Sequence, residues 1–426
     1  MSLPVTSMTP FRSTRLVLIS VLFAASHSFP QFILPQIHPA DVTCENGSGE
    51  YNYRFSTGTT VSVGPPRSEG FAQRVCDANL TWGSHNLNVA SHAAQITIDV
   101  LGADLGFGKP VVAFQIDEAG ERTHRTYPIY SLTKPPRLLH TLTGADSYIA
   151  EDAGLDGTVE IWTDDAATID GFEGVPLKTW DSAPTVVLQF EKKQLVDVSP
   201  EFVSQFDAQI AQLRSRLDPV ALAAFKNSNG VLSTNISVSE ADLHRLMRTK
   251  IKVLEIVWAY LYSGRDAQAW STLQQMWPAQ DFNRIKTKIS AVHQNGILRG
   301  VARPAGKRRR RHEARIYDTA ASSSAATLYW NPEDGPAPMA NSQSAFVQPI
   351  SIRLLMPPPP EGVDFRPSRA AVELVIDSAG KVQLAKLLSG ADPLFAVAAA
   401  HWHFVPAYYD GSPVACRFRT SVWGLK

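Results

Sequence analysis

A chain of 426 residues, 44% of them hydrophobic, can bury the cores of roughly two to four domains. Its 40 basic and 40 acidic side chains cancel, which excludes the global positive field that collects nucleic acid. Three cysteines, none in C-x-x-C spacing, exclude a dense disulfide scaffold and a zinc ribbon.

Near the start, Arg12 and Arg15 precede an apolar run from Leu16 to Ala25, and Ser26, Ser28 and Pro30 follow it. About ten apolar residues suit a signal peptide and fall short of the roughly twenty that span a bilayer. Residues 1–28 are therefore expected to direct export to the periplasm or cell envelope and to be removed, leaving no membrane span. An uncleaved anchor reaching Ile37 is the alternative.

From Cys44 to Asp197 short runs of β-formers recur: Gln95 to Leu101, Pro110 to Asp117, Arg137 to Thr143, Thr158 to Trp162 and Thr185 to Phe190. Gly, Pro and Asp break them without intervening amphipathic helices, which predicts an antiparallel sandwich or barrel over residues 29–198. In an oxidising compartment Cys44 and Cys76 are expected to bridge, closing a loop of about thirty residues worth on the order of 3 kcal/mol. Gly102, Gly106 and Gly108 precede Lys109-Pro110 without the spacing of a phosphate loop, so they read as a turn.

The segment Asp152-Ala153-Gly154-Leu155-Asp156-Gly157-Thr158-Val159-Glu160 offers oxygens at the spacing that hard Ca²⁺ takes from a tight turn. Asp152, Asp156 and Glu160 are the candidate ligands, and an Asp-Gly turn feeding a strand is the competing reading.

At Ser199-Pro200-Glu201 the period changes. Phe202, Phe206, Ile210, Leu213 and Leu217 form one helical stripe, and Asp218-Pro219 starts a second helix that Asn229-Gly230 stops. Ser237 with Glu240 has the pattern of a capping box ahead of a third helix ending at Ser263-Gly264. Asp266 to Trp277 and Ala279 to His293 complete a bundle over residues 199–300. Residues 301–345 carry the basic run Lys307 to Arg311 and then Ser, Ala, Pro and Asn, and are expected to be a disordered linker. Such a tether would span roughly 35 to 40 Å and hold the terminal residues loosely.

Beyond the linker, Val372 to Ile376 alternates as a strand, Asp377-Ser378-Ala379-Gly380 is a turn, and Asp392-Pro393 opens an alanine-rich helix with Leu394 and Phe395. Trp402-His403-Phe404-Val405-Pro406-Ala407 and Asp410-Gly411-Ser412-Pro413-Val414 come next. In order and spacing these motifs resemble the C-terminal domain of the TonB energy-transducer family over residues of about 349–426, and the domain that carries them is expected over residues 346–426. The resemblance implies helices on one face of a small antiparallel sheet, a core resting on Leu394, Trp402 and Phe404, and a protein partner gained by strand addition. Trp402 and Phe404 then point inward, and His401 and His403 are expected to face outward, where they offer at most a two-ligand metal site. Cys416 is expected to be a small buried residue.

The fold class expected is therefore multidomain α+β, with an N-terminal antiparallel β-rich domain, a central helical bundle and a terminal TonB-like domain. The function expected is a non-enzymatic exported envelope protein connected with outer-membrane receptor transport. A periplasmic hydrolase, or a carbohydrate- or calcium-binding protein acting through the β-rich domain, is the alternative.

Overall fold

The computed structural model describes residues 41–43, 51–64, 67–69, 73–118, 125–232, 239–302, 316–318, 326–328, 346–353, 369–389 and 394–423. The expected signal segment, Cys44, the basic run Lys307 to Arg311 and the side chain of Leu394 lie outside the described residues. Among the described residues no helix is long and apolar enough to cross a membrane.

The chain is a mixed α+β protein with a large antiparallel β domain on its N-terminal side. The first strands are β1 (Asp41–Thr43), β2 (Tyr51–Arg54), β3 (Thr59–Val63), β4 (Arg67–Glu69) and β5 (Gln73–Trp82). The next are β6 (His85–Leu101), β7 (Val111–Glu118), β8 (Arg125–Ser131) and β9 (Leu138–Ala145). They form a nine-stranded sheet in the order β2-β3-β5-β6-β7-β8-β9, with β1 on β6 and β4 on β5. Both faces are covered. On β7, Val111 and Ala113 enter one core while Val112, Phe114 and Ile116 enter another, because successive side chains point to opposite faces. Against β7, the register of the 17-residue β6 slips between Ile98 and Val100, making Asp99 the extra residue of a bulge.

A second antiparallel sheet runs in sequence order through β10 (Tyr148–Glu151), β11 (Glu160–Asp164), β12 (Thr185–Glu191) and β13 (Gln194–Asp197). The helices are α1 (Ala166–Ile169), α2 (Val203–Ser215), α3 (Pro219–Lys226), α4 (Glu240–Tyr262), α5 (Asp266–Met276) and α6 (Phe282–Asn295). Asp218 caps α3 by accepting from the Val220 amide at 2.9 Å, and Pro219 stands where no intrahelical donor is needed. α4 is capped by Ser239, which accepts from the Asp242 amide at 3.1 Å, so the helix begins two residues beyond the cap expected at Ser237. Ile161, Trp162 and Leu188 of the sheet share one core with Phe202, Phe206, Val257 and Trp258. The change of period at Ser199 thus marks a change of secondary structure and no break in packing.

The rest comprises β14 (Ile316–Asp318), β15 (Ala326–Leu328), β16 (Phe346–Val347), β17 (Ile350–Arg353), β18 (Arg369–Ile376) and β19 (Val382–Ser389). α7 (Leu394–Ala399), β20 (His403–Val405), β21 (Ala407–Tyr409) and β22 (Ser412–Trp423) complete the chain. The main path of the terminal sheet is β16-β21-β22-β18-β19, β17 pairs with β20, and α7 lies on β18 and β19. Val372, Leu374, Ile376, Trp402, Phe404, Cys416 and Phe418 make its core.

Two expectations are corrected here. β14 and β15 are strands within the segment expected to be a disordered linker, and both add in parallel to β22, whose edge offers them backbone partners. Nor is the terminal domain loosely held. Val405 belongs to the core of the nine-stranded sheet, Ala379 packs into the larger core, and the Tyr408 hydroxyl donates to the Gly102 carbonyl at 2.5 Å. Gly102 has φ +96°, and a Cβ there would sit 2.5 Å from that hydroxyl, so only glycine permits the approach.

Candidate functional site

The most distinctive chemistry lies where the β18–β19 turn enters the β domain. Asp377 and Ser378, which begin the expected turn, are completely or almost completely buried, at 0% and 1% exposure. Asp377 Oδ1 accepts from the amides of Ala379 and Lys381, and Oδ2 accepts from the Asp152 amide and Gln383 Nε2, each at 2.8 to 2.9 Å. Gly380 has φ +86°, and its carbonyl accepts from the Phe404 amide at 2.9 Å. A Cβ there would lie 1.8 Å from the Phe404 carbonyl oxygen.

From the end of this turn Lys381 reaches the bulge of β6. Its Nζ donates to Asp99 Oδ1 at 2.6 Å and to the Asp99 carbonyl at 2.7 Å. The other Asp99 oxygen accepts from the Tyr127 hydroxyl at 2.5 Å and the Ala150 amide at 2.9 Å. The bulge re-aims Asp99 out of the ladder, which is how an acid inside an apolar run comes to face a lysine at the end of the β18–β19 turn. Burial, followed by the charge and hydrogen bond of Asp99, pushes the Tyr127 phenol well above its ordinary range.

Beside this pair lie Glu151, Asp152, Glu160 and Asp377, all buried. Burial first, then the charge of Asp377, pushes Asp152 up to about 7. Burial and the charges of Asp377 and Glu160 push Glu151 well above the carboxylate range, and burial raises Asp377. Low dielectric makes several adjacent carboxylates costly to ionise together, which is the physical cause of these upward shifts.

Of the candidate calcium ligands, Asp152 and Glu160 are buried in this seam and Asp156 is half-buried beside it. Asp152 Oδ1 accepts from the Asp156 amide at 3.0 Å, and Oδ2 accepts from the Gly157 amide at 2.9 Å and Ser378 Oγ at 2.8 Å. Asp156 Oδ1 accepts from the Thr158 amide at 2.9 Å and Glu160 Oε2 from the Ala153 amide at 3.3 Å. The loop thus turns its carboxylates on its own amides and on the terminal domain. Among the described residues no group of three or more His, Cys, Asp or Glu is arranged to hold a metal ion.

Cys76 is disulfide-bonded, while Cys416 is free and buried, its thiol pushed up to about 12 by burial and then by Asp377. Trp402 and Phe404 are buried at 0% and 1% exposure. His403 does not face outward: it is buried, because β20 pairs with β17, bridges to Lys381 and packs on β6, so both its faces are covered. His401 is half-buried. Sequence reasoning missed Asp99, Tyr127 and Lys381. The one available signal was an acid inside the run Gln95 to Leu101, and nothing local connects it to a lysine 282 residues away.

Among the described residues the terminal sheet also has an open edge. Among the described residues β19 pairs with β18 alone, whereas the outer edge of β22 is taken by β14 and β15. Leu384, Lys386 and Leu388 alternate outward along β19, with Leu384 56% and Leu388 44% exposed. Compared with protein-family models, curated proteins and solved structures, the chain matches none.

Proposed function

We propose that this chain is an exported, non-enzymatic protein of the bacterial envelope whose TonB-like terminal domain takes an extended segment of a protein partner by strand addition, in connection with an outer-membrane receptor. The observation that carries this reading is the edge of β19. An unpaired edge displays a row of backbone donors and acceptors that template another strand, and two exposed leucines on alternate positions give such a segment apolar anchors. Lys386 between them discourages unspecific edge-to-edge association. Docking of the terminal domain through Lys381 and Asp377 supports the reading too, because a partner would meet a fixed edge without first ordering the domain.

The test is a photo-reactive amino acid placed in turn at positions 384, 386 and 388 of the full-length protein in cells, with the exposed position 220 of α3 as control. A discrete cross-linked partner from the β19 positions and none from 220 is the expected result. The same pattern at 220, or no adduct from β19, refutes the edge as the binding site. N-terminal sequencing of the mature protein checks export, and Met1 retained in a membrane fraction would count against cleavage.

A further inference from the structure

Basic side chains converge in a cleft of about 340 Å³ between the end of α2, the start of α3 and the first half of α4. Arg216, which caps the C-terminus of α2, lines it together with Arg245, Arg248 and Lys252 of α4. The three α4 residues stand three and four positions apart and so share one helix face, a spacing at which like charges repel. Neutralisation from within is partial. Asp242 pairs with Arg245 at 2.9 Å, and Asp218 uses one oxygen to cap α3. Lys252 Nζ donates to the Arg216 carbonyl at 3.1 Å, which ties the lysine to the rim and draws the two elements together. The guanidinium groups of Arg216 and Arg248 have no hydrogen bond or ion pair with any other described residue.

We propose that this cleft binds a phosphoryl group. Two guanidinium forks that no described residue engages present planar pairs of donors that match the oxygens of a phosphate, and a lysine and a third arginine add charge around the same small volume. A single carboxylate would leave most of that charge unbalanced, whereas a phosphate monoester or diphosphate carries enough to offset it. The cleft has room for one small head group or phosphate ester and is open to solvent-borne ligands, since both arginines are exposed. The same chemistry is displayed by a soluble phosphate ester and by an anionic lipid headgroup.

The full-length protein is titrated calorimetrically with pyrophosphate at constant ionic strength, and sedimented with vesicles of phosphatidylglycerol or of phosphatidylcholine. Saturable one-to-one binding of pyrophosphate is expected, weakened at least tenfold in the double variant Arg216→Ala/Arg248→Ala and unchanged in Arg299→Ala, an exposed arginine outside the cleft. Arg216→Lys/Arg248→Lys, which keeps the charge and loses the forks, should restore part of the affinity and guards against misfolding of the alanine variant. Sedimentation with phosphatidylglycerol alone, abolished in the double variant, assigns the phosphoryl group to a lipid, and its absence alongside pyrophosphate binding assigns it to a soluble ester. No saturable response to either probe, or a lysine-pair or alanine-pair variant that binds as the parent does, overturns the proposal.

Discussion

Replacing Lys381 by Met removes the only cation that reaches Asp99 among the described contacts, while leaving a side chain of similar length in the seam. Lys381 is 7% exposed and Asp99 2%, so the broken pair leaves a carboxylate in low dielectric with only the Tyr127 hydroxyl and the Ala150 amide on its remaining oxygen. Removing one member of a buried pair typically costs about 3 to 5 kcal/mol, and those two donors place the expected loss near the lower end, about 3 kcal/mol. The loss belongs to the unpaired charge and not to the absence of the pair. Asp99→Asn combined with Lys381→Met should therefore recover more than half of it, since a neutral amide can keep the bond from Ala150. Urea melts of the full-length protein, followed by tryptophan fluorescence, give the comparison. A single variant within about 0.5 kcal/mol of the parent, the range of ordinary surface changes, would refute the seam as the feature that holds the terminal domain in place.

Stability should fall as pH rises through the neutral range. Asp152 is raised from 3.8 to about 7 in the folded chain, so below its unfolded value its contribution is fully present, and it is lost as pH passes about 7. Glu255, raised to about 7 by burial, acts in the same direction, and thermal melts between pH 5 and 8 should flatten in Asp152→Asn without becoming level. Trp402→Ala removes the largest side chain of the terminal core and should cost about 3 to 5 kcal/mol, whereas Val397→Ala, at a position of α7 that is 60% exposed, should stay within about 0.5 kcal/mol by the same melts. Since Cys76 is bridged and Cys416 free, thiol labelling of denatured but unreduced protein should modify one cysteine, and labelling after reduction all three. Excess calcium should leave the melting temperature where a chelator leaves it, because the oxygens of Asp152 and Asp156 already accept from amides, and a rise abolished by Asp156→Asn would contradict this.

Much of the local structure was legible in the residues alone. Val372 to Ile376 and Thr185 to Phe190 alternate or run apolar as strands and are strands, and Asp218-Pro219 starts a helix because its side chain and its missing amide suit the first turn. Burial of Trp402 and Phe404 was what the resemblance of the terminal motifs implied. Period, however, reports only which side chains share a face, never what covers the second one. His403 alternates outward from its own domain and is buried because β6 lies there. Asp377-Ser378-Ala379-Gly380 has the composition of any exposed turn, and its burial was decided by Asp152, 225 residues earlier in the chain. The bulge that frees Asp99, the edge of β22 that draws β14 and β15 out of a polar segment, and the convergence of Arg216 with Arg248 share that origin. Each depends on surfaces brought together by packing, and such encounters leave no mark on the residues near either partner in sequence.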